Sequence, residues 1–282
     1  MRLVLLTTLT MVAFAANSVL NRMALAGGHI DAVSFAMIRL AGGAVALTLL
    51  VLLTRGRLRF GGAGRMLGVV SLLIYLFGFS TAYTDLDAGL GALVLFGVVQ
   101  ITMFVGGLVA GESTPPRRWV GAALAFGGLI WLLWPGNSAE ISLTHAAQMA
   151  LAGVGWGLYS LAGRKSGDAL MGTAANFVLA APIGLAIGLM LPGMVDVSAV
   201  SNWGVALAIM CGAVTSGLGY ALWYTVLPQL ASSTAAVAQL TVPVIAMAGG
   251  AVLLGEMLTG QFVIAALLVL GGVMVSVSGG RR

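Results

Sequence analysis

Charge is what this sequence has least of. Asp, Glu, Lys and Arg make up 7% of its 282 residues, where a soluble globular chain carries about a quarter. With hydrophobic residues at 60%, too few polar side chains exist to cover a water-soluble domain, and the same apolarity excludes disorder. Cys211 is the only cysteine, which excludes a disulfide framework and a cysteine-based metal site. The two histidines, His29 and His145, are far apart in sequence. No G-x-S-x-G, H-E-x-x-H or complete dinucleotide fingerprint occurs, which argues against an enzyme and against a bound metal or cofactor. No filter-like loop interrupts the apolar runs, which argues against a channel.

Those runs define the class. A spanning helix needs about 20 mostly apolar residues, and ten candidates appear: 3–26, 32–53, 66–83, 90–110, 119–134, 144–163, 169–191, 203–227, 234–254 and 261–277. They are continuously apolar rather than alternating with period two, which argues against a barrel. Ala13-Phe14-Ala15 imitates a signal-peptide cleavage site, but the run continues to Ala26. The expected fold class is an all-α polytopic membrane protein with ten transmembrane helices.

Basic residues are expected to set its orientation. With the N-terminus in the cytoplasm, eleven of the thirteen Lys and Arg fall on the cytoplasmic side, and only Arg22 and Arg39 do not. Positive-inside bias therefore places both termini in the cytoplasm. The net charge of +5 follows from this asymmetry, without nucleic acid as a partner.

The polar stretch 135–143 divides the chain nearly in half. Tyr83-Thr84 and Tyr224-Thr225 coincide at a shift of 141, as do Gly78 and Gly219. Gly111-Glu112 meets Gly255-Glu256 at a shift of 144, and Gly127-Gly128 meets Gly271-Gly272. Two of only three Glu residues thus coincide. The expected organisation is two repeats, 1–138 and 139–282. Each has five helices, an odd number, so the second copy inserts inverted, as in many secondary transporters.

The chain resembles the EamA-type branch of the drug/metabolite transporter superfamily. The resemblance rests on Phe14-x-x-Asn17-x-x-x-Asn21, on Ser34-Phe35-x-x-x-Arg39, and on Gly-Glu after helices 4 and 9. Arg164-Lys165 closing helix 6 and Thr241-Val242-Pro243 in helix 9 add to it. It implies a bacterial inner-membrane exporter of amino acids and related metabolites, working as a monomer on a small-molecule substrate within the lipid bilayer. The aromatic content is most similar to exporters of aromatic amino acids. Multidrug efflux, or efflux of another small metabolite such as a nucleobase-like compound, is the alternative. Helix 4 departs from the repeat, with Val99 where helix 9 has Pro243.

Candidate substrate-binding residues follow from helical spacing. Tyr75, Phe79 and Tyr83 share one face of helix 3, and Ser216, Tyr220 and Tyr224 one face of helix 8. Phe14, Asn17 and Asn21 share a face of helix 1, and helix 6 offers Trp156, Tyr159 and Ser160. Gln100 and Gln239 add amides. Rings with polar tips suit a cavity for an apolar side chain and a zwitterionic head. The same groups also suit bonds between helices.

Arg39 lies about 10 Å inside helix 2 at 1.5 Å per residue. It either attracts a substrate carboxylate, pairs with an acid such as Asp31, Asp85 or Asp87, or snorkels outward. Gly217 and Pro243 are candidates for gating or structural roles, a bend in helix 8 and a kink in helix 9. Gly107-x-x-x-Gly111 and Gly153-x-x-x-Gly157 suit close helix crossings. Glu112 and Glu256 are expected at helix ends as caps or ion-pair partners. No Asp or Glu falls within a central turn, which ranks lipophilic-cation efflux below export of neutral or zwitterionic cargo.

Overall fold

The computed structural model describes residues 1–111, 115–134, 141–163, 167–190, 195, 196, 198, 200–230 and 238–277. Among these residues there is no strand, and ten helices account for nearly all of the chain. The first five are α1 (Arg2–Ala26), α2 (Ala32–Arg55), α3 (Arg65–Ala82), α4 (Ala88–Val109) and α5 (Pro116–Leu132). The others are α6 (Leu143–Gly163), α7 (Ala169–Met190), α8 (Asn202–Val226), α9 (Thr241–Leu254) and α10 (Gly260–Val277). Six of them, α1 to α4, α7 and α8, are long and apolar enough to cross a membrane by length and composition.

Local chemistry sets the ends. Asp31 caps α2 by accepting the Ser34 N–H at 2.8 Å, and Ser201 caps α8 by accepting that of Gly204 at 3.0 Å. Pro116 opens α5, where a missing N–H costs nothing. Gly111 and Gly255, which coincide in the sequence repeat, both adopt left-handed φ, 75° and 69°, just past α4 and α9. Only glycine does this without strain, so the repeated Gly-Glu marks two equivalent helix ends. Gly111 is therefore a terminator, with open space around it, rather than a crossing residue. Gly153 and Gly157 do serve the crossing of α6 with α4, against Val98 and Thr102.

Two helices depart from regular geometry. α8 is not uniformly α-helical: Met210–Leu218 is a π-helical stretch, where each turn holds extra backbone. Gly217 sits in it, packed toward Ala46 of α2. Pro243 lies in the first turn of α9, and the helical residues 238–239 break at Leu240 just before it, where the missing Pro243 N–H leaves the Gln239 carbonyl without its helical donor. The expected start at 234 lies outside the described residues.

Helix packing has a simple rule. α2 packs on α7, α4 on α9 and α5 on α10. The pairs α3–α6, α4–α6 and α2–α8 recur as α8–α1, α9–α1 and α7–α3 when each helix is exchanged for the one five places away. The repeated glycines obey the same exchange, since Gly78 packs on Gln148 and Ala152 of α6, and Gly219 on Ala13 of α1. Large apolar side chains such as Leu5, Leu9, Leu49, Leu185 and Leu267 point outward, suited to acyl chains rather than water.

Connections gather on two faces. On one, Arg22 reaches Thr84 and Asp87, and the Ser201 N–H donates to the His29 carbonyl at 2.9 Å. On the other, Arg55 pairs with Asp168 at 3.1 Å and Arg65 donates to Asn176 at 2.6 Å.

Candidate substrate site

The centre of the bundle is built by α1, α2, α3, α6 and α8. Asn17 and Arg39 are buried there with Tyr75 and Ser216. Arg39 donates from Nε to Ser216 Oγ at 3.2 Å, and from Nη2 to Asn17 Oδ1 at 3.3 Å and the Tyr75 hydroxyl at 3.0 Å. Its guanidinium also lies 4.9 Å from the centre of the Phe79 ring. Asn17 Oδ1 is claimed further by the Thr215 hydroxyl at 2.8 Å, the Ser216 hydroxyl at 3.0 Å and the Cys211 thiol at 3.1 Å. An amide oxygen has two lone pairs, so even with the Thr215 hydroxyl turned to the Cys211 carbonyl at 3.0 Å, Arg39, Ser216 and Cys211 bring more donors than this oxygen can serve.

The close α2–α8 crossing makes this possible. A Cβ on Gly212 would overlap the Arg39 carbonyl, and one on Gly43 would crowd the Gly212 carbonyl. The π-helical stretch then brings Cys211, Thr215 and Ser216 onto one amide. No spacing in the sequence announces that stretch; its only trace is the run of small residues from Cys211 to Gly217.

Around this polar centre runs a continuous series of rings. Tyr83 touches Phe79 at 4.7 Å, Phe79 touches Tyr75 at 5.3 Å, and Tyr75 touches Trp156 at 4.9 Å. Trp156 stacks on Tyr159 at 5.4 Å and meets Tyr220 at 5.1 Å, and Tyr220 reaches Phe14 at 5.7 Å. Phe14, Asn17, Tyr75, Phe79, Trp156 and Tyr220 line a central cavity of about 20 Å³, with Ser18, Leu95 and Phe96, which spacing alone had not singled out. That volume is about one water, so the site is closed up in this conformation.

The remaining candidates fall elsewhere. Tyr159 and Tyr224 line a vestibule of about 220 Å³ with Arg65, Asp168, Thr173 and Asn176. Tyr83 and Asn21 sit toward the opposite face: the Tyr83 hydroxyl donates to the Ala88 carbonyl at 3.2 Å, and Asn21 Oδ1 accepts from Ser80 at 3.0 Å. The Ser160 hydroxyl donates to the Trp156 carbonyl of its own helix at 2.8 Å. Gln100 lines a separate small cleft with Phe104, Gly121 and Ser276. Gln239 is half-buried ahead of α9 and does not line the central cavity.

The face opposite the vestibule is held shut by charge. Glu256 accepts the Ala88 N–H with both carboxylate oxygens, at 2.9 and 3.0 Å, and lies 3.6 Å from Arg22. Arg22 also reaches Asp87 at 3.4 Å and the Thr84 carbonyl at 3.0 Å. Glu256 is thus the cap and ion-pair partner expected of it; Glu112 lies outside the described residues. Burial pushes the Glu256 carboxyl up, opposed by the Ala88 N–H and Arg22.

A helical bundle with a closed central cavity, a charge network on one face and a vestibule on the other, has the build of a multi-pass membrane transporter of a small molecule. Residues 145–278 match the EamA-like transporter family, and the chain belongs to that family. It is 46% identical over 272 residues to the uncharacterised protein PA1977 of Pseudomonas aeruginosa, covering 96% of this chain and 93% of that protein. It is 26% identical to a probable amino-acid metabolite efflux pump of Salmonella typhimurium, over 73% of each chain. It is 27% identical to the threonine/homoserine exporter RhtA of Salmonella typhimurium, over 78% of this chain and 70% of that protein. One crystal structure superposes with a TM-score of 0.64 over 97% of this chain and 98% of that one, at 19% identity, a likeness of fold alone.

Proposed function

We propose that this chain exports amino acids and related metabolites across the bacterial inner membrane, favouring aromatic and other neutral amino acids. The observation that carries the reading is the ring series that passes through the central cavity. Phe14, Tyr75, Phe79, Trp156 and Tyr220 offer ring faces to an apolar side chain, and Asn17 and the tyrosine hydroxyls offer polar contacts to an amino-acid head. The likenesses to an amino-acid metabolite efflux pump and to RhtA support the class of cargo. Cationic drugs fit less well, since every acidic side chain among the described residues lies outside the helices.

The working cycle is alternating access in a monomer, between two inverted units, 1–138 and 139–282. The exchange of packing partners at five helices' distance supports that division. The vestibule face carries Arg55, Arg57, Arg59 and Arg65, and positive-inside bias makes it cytoplasmic. Cargo enters there, passes Tyr159 and Tyr224, and reaches the cavity while Glu256 and Arg22 keep the far face shut. Rocking of the units then opens that face.

Counterflow with purified protein in liposomes tests this. Labelled Phe, Tyr and Trp should exchange fastest, Met and Thr less fast, and Lys and Glu poorly. Faster exchange of Lys or Glu than Phe would overturn the aromatic preference.

A further inference from the structure

We infer that Arg39 is the anchor for a carboxylate on the transported molecule, so that cargo bearing one is selected over the same molecule without it. The inference rests on the reading above, and narrows it.

Arg39 is fully buried, yet it neither snorkels nor pairs with an acid: no carboxylate among the described residues lies within 4.0 Å of it. A guanidinium stays charged in proteins, and a buried charge without an opposite partner is costly. Its partners are neutral. Asn17 and Tyr75 bond Nη2 and Ser216 bonds Nε, while Nη1 has no hydrogen-bond partner among the described residues. The Tyr220 hydroxyl, beside that of Tyr75, is a second buried group with no hydrogen bond of good geometry. Asn17, Tyr75 and Phe79, which touch Arg39, and Tyr220 all line the central cavity. One positive charge and a surplus of donors beside a cavity define what is missing there, an anion with several acceptor lone pairs. A carboxylate supplies both, and suits the planar donor fork of an arginine. An ammonium group would meet a like charge.

Tryptophan fluorescence of the full-length purified protein gives the test, with three probes sharing one ring: L-phenylalanine, 3-phenylpropionate and phenethylamine. An aliphatic pair, L-leucine and isoamylamine, is titrated alongside. In the native protein, the carboxylate-bearing probes should bind at least about ten-fold more tightly than the amines, the scale of a charge-assisted hydrogen bond. Arg39→Gln should close that gap from both sides, weakening the carboxylates and strengthening the amines, while Arg39→Lys keeps the sign of the preference. A merely structural arginine would not produce tighter amine binding. Should Arg39→Gln not fold, Tyr75→Phe, which removes the hydroxyl holding Nη2, should narrow the same gap.

Equal binding of phenethylamine and phenylalanine by the native protein would overturn the inference. So would an unchanged gap in folded Arg39→Gln, or failure of every carboxylate-bearing probe to bind. If only the aliphatic pair binds and its gap depends on Arg39, the aromatic preference fails and the anchor stands. If the ring probes bind without a gap, the anchor fails and the aromatic preference stands.

Discussion

Glu256 reaches from the connection after α9 to the first turn of α4, where its two carboxylate oxygens accept the Ala88 N–H at 2.9 and 3.0 Å. Residues 168 positions apart are thereby joined at one helix end, where a negative charge also meets the favourable end of the α4 dipole. Gly250 permits the approach, since a Cβ there would overlap the carboxylate. Glu256→Ala leaves the Ala88 N–H and Arg22 without this partner and should destabilise the folded protein by about 1–3 kcal/mol. Glu256→Gln keeps one acceptor and should cost less. Thermal unfolding in detergent checks both, and equal stability of Glu256→Ala and the native chain would remove Glu256 from the closure of this face.

The two best-defined carboxylates outside the helices should respond to pH with opposite signs. Burial raises the Glu256 carboxyl above the ordinary glutamate range, more than the Ala88 N–H and Arg22 lower it. The pH-dependent part of its contribution is therefore fully present below the unfolded value and is lost as pH rises through the folded one, while the bonds to the Ala88 N–H and Arg22 remain in the ionised form. At Asp168 burial also opposes ionisation, but the Met171 N–H at 3.1 Å and Arg55 at 3.1 Å outweigh it and hold the group below the usual range. That contribution is present above the ordinary aspartate value and is lost as pH falls through the folded one. Melting curves between about pH 3 and pH 7 should lose the first slope in Glu256→Gln and the second in Asp168→Asn. Unchanged slopes in both variants would remove these groups from the pH dependence.

Much of the fold was legible because lipid demands long apolar runs, and nine of the ten runs match a helix to within a few residues at both ends, the start of the other lying outside the described residues. The ring stripe on α3 was legible for a similar reason, since i, i+4 spacing on a regular helix fixes a shared face. α8 is where that logic weakens. Its π-helical stretch redistributes side chains in a way that 3.6-residue periodicity does not express, so the meeting of Cys211, Thr215 and Ser216 on Asn17 was not legible. Gln100 is a different case. α4 turns Leu95 and Val98 toward Gly153 of α6, and a residue two places past Val98 lies about 200° around the helix, facing the cleft beside α5 and α10. An amide in an apolar run says that a partner or a cavity exists, but not which one.

Orientation yields to labelling. Asp85 lies on the shut face and Arg57 on the vestibule face, and both are exposed. In a Cys211→Ser background, Asp85→Cys should react with an impermeant thiol reagent in whole cells, and Arg57→Cys only after the membrane is opened. The reverse pattern would invert the direction of transport inferred from the basic loops.

Transport should not require an imposed proton gradient. Among the described residues no acidic side chain lies inside a helix, and Glu256, on the shut face, is engaged with Ala88 and Arg22. Proton-coupled carriers commonly place a titratable group along the substrate path. Downhill flux and exchange should therefore persist in proteoliposomes at equal pH on both sides. Flux that vanished there, returned with a pH step and was lost in Glu256→Gln would establish strict coupling instead.

The ring series offers the sharpest separation of function from packing. Trp156 is only partly buried, and it touches Tyr75, Tyr159 and Tyr220 at the junction of cavity and vestibule. Tyr83 is fully buried at the far end, and a Cβ on Gly91 would overlap its ring. Trp156→Ala should thus impair aromatic cargo first: each ring contact contributes about 0.5–1.5 kcal/mol beyond area burial. Loss of one contact therefore lowers apparent affinity several-fold, at about 1.4 kcal/mol per tenfold. Trp156→Phe keeps a ring face and should recover most of that loss. Tyr83→Ala removes a large side chain from a packed joint and should cost about 3–5 kcal/mol of stability, lowering transport of every substrate alike. Counterflow of Phe and Thr, compared with the melting temperature of each variant, tells the two effects apart. A Trp156→Ala protein that carries Phe normally, or that loses Thr and Phe in equal measure, would exclude Trp156 from cargo selection.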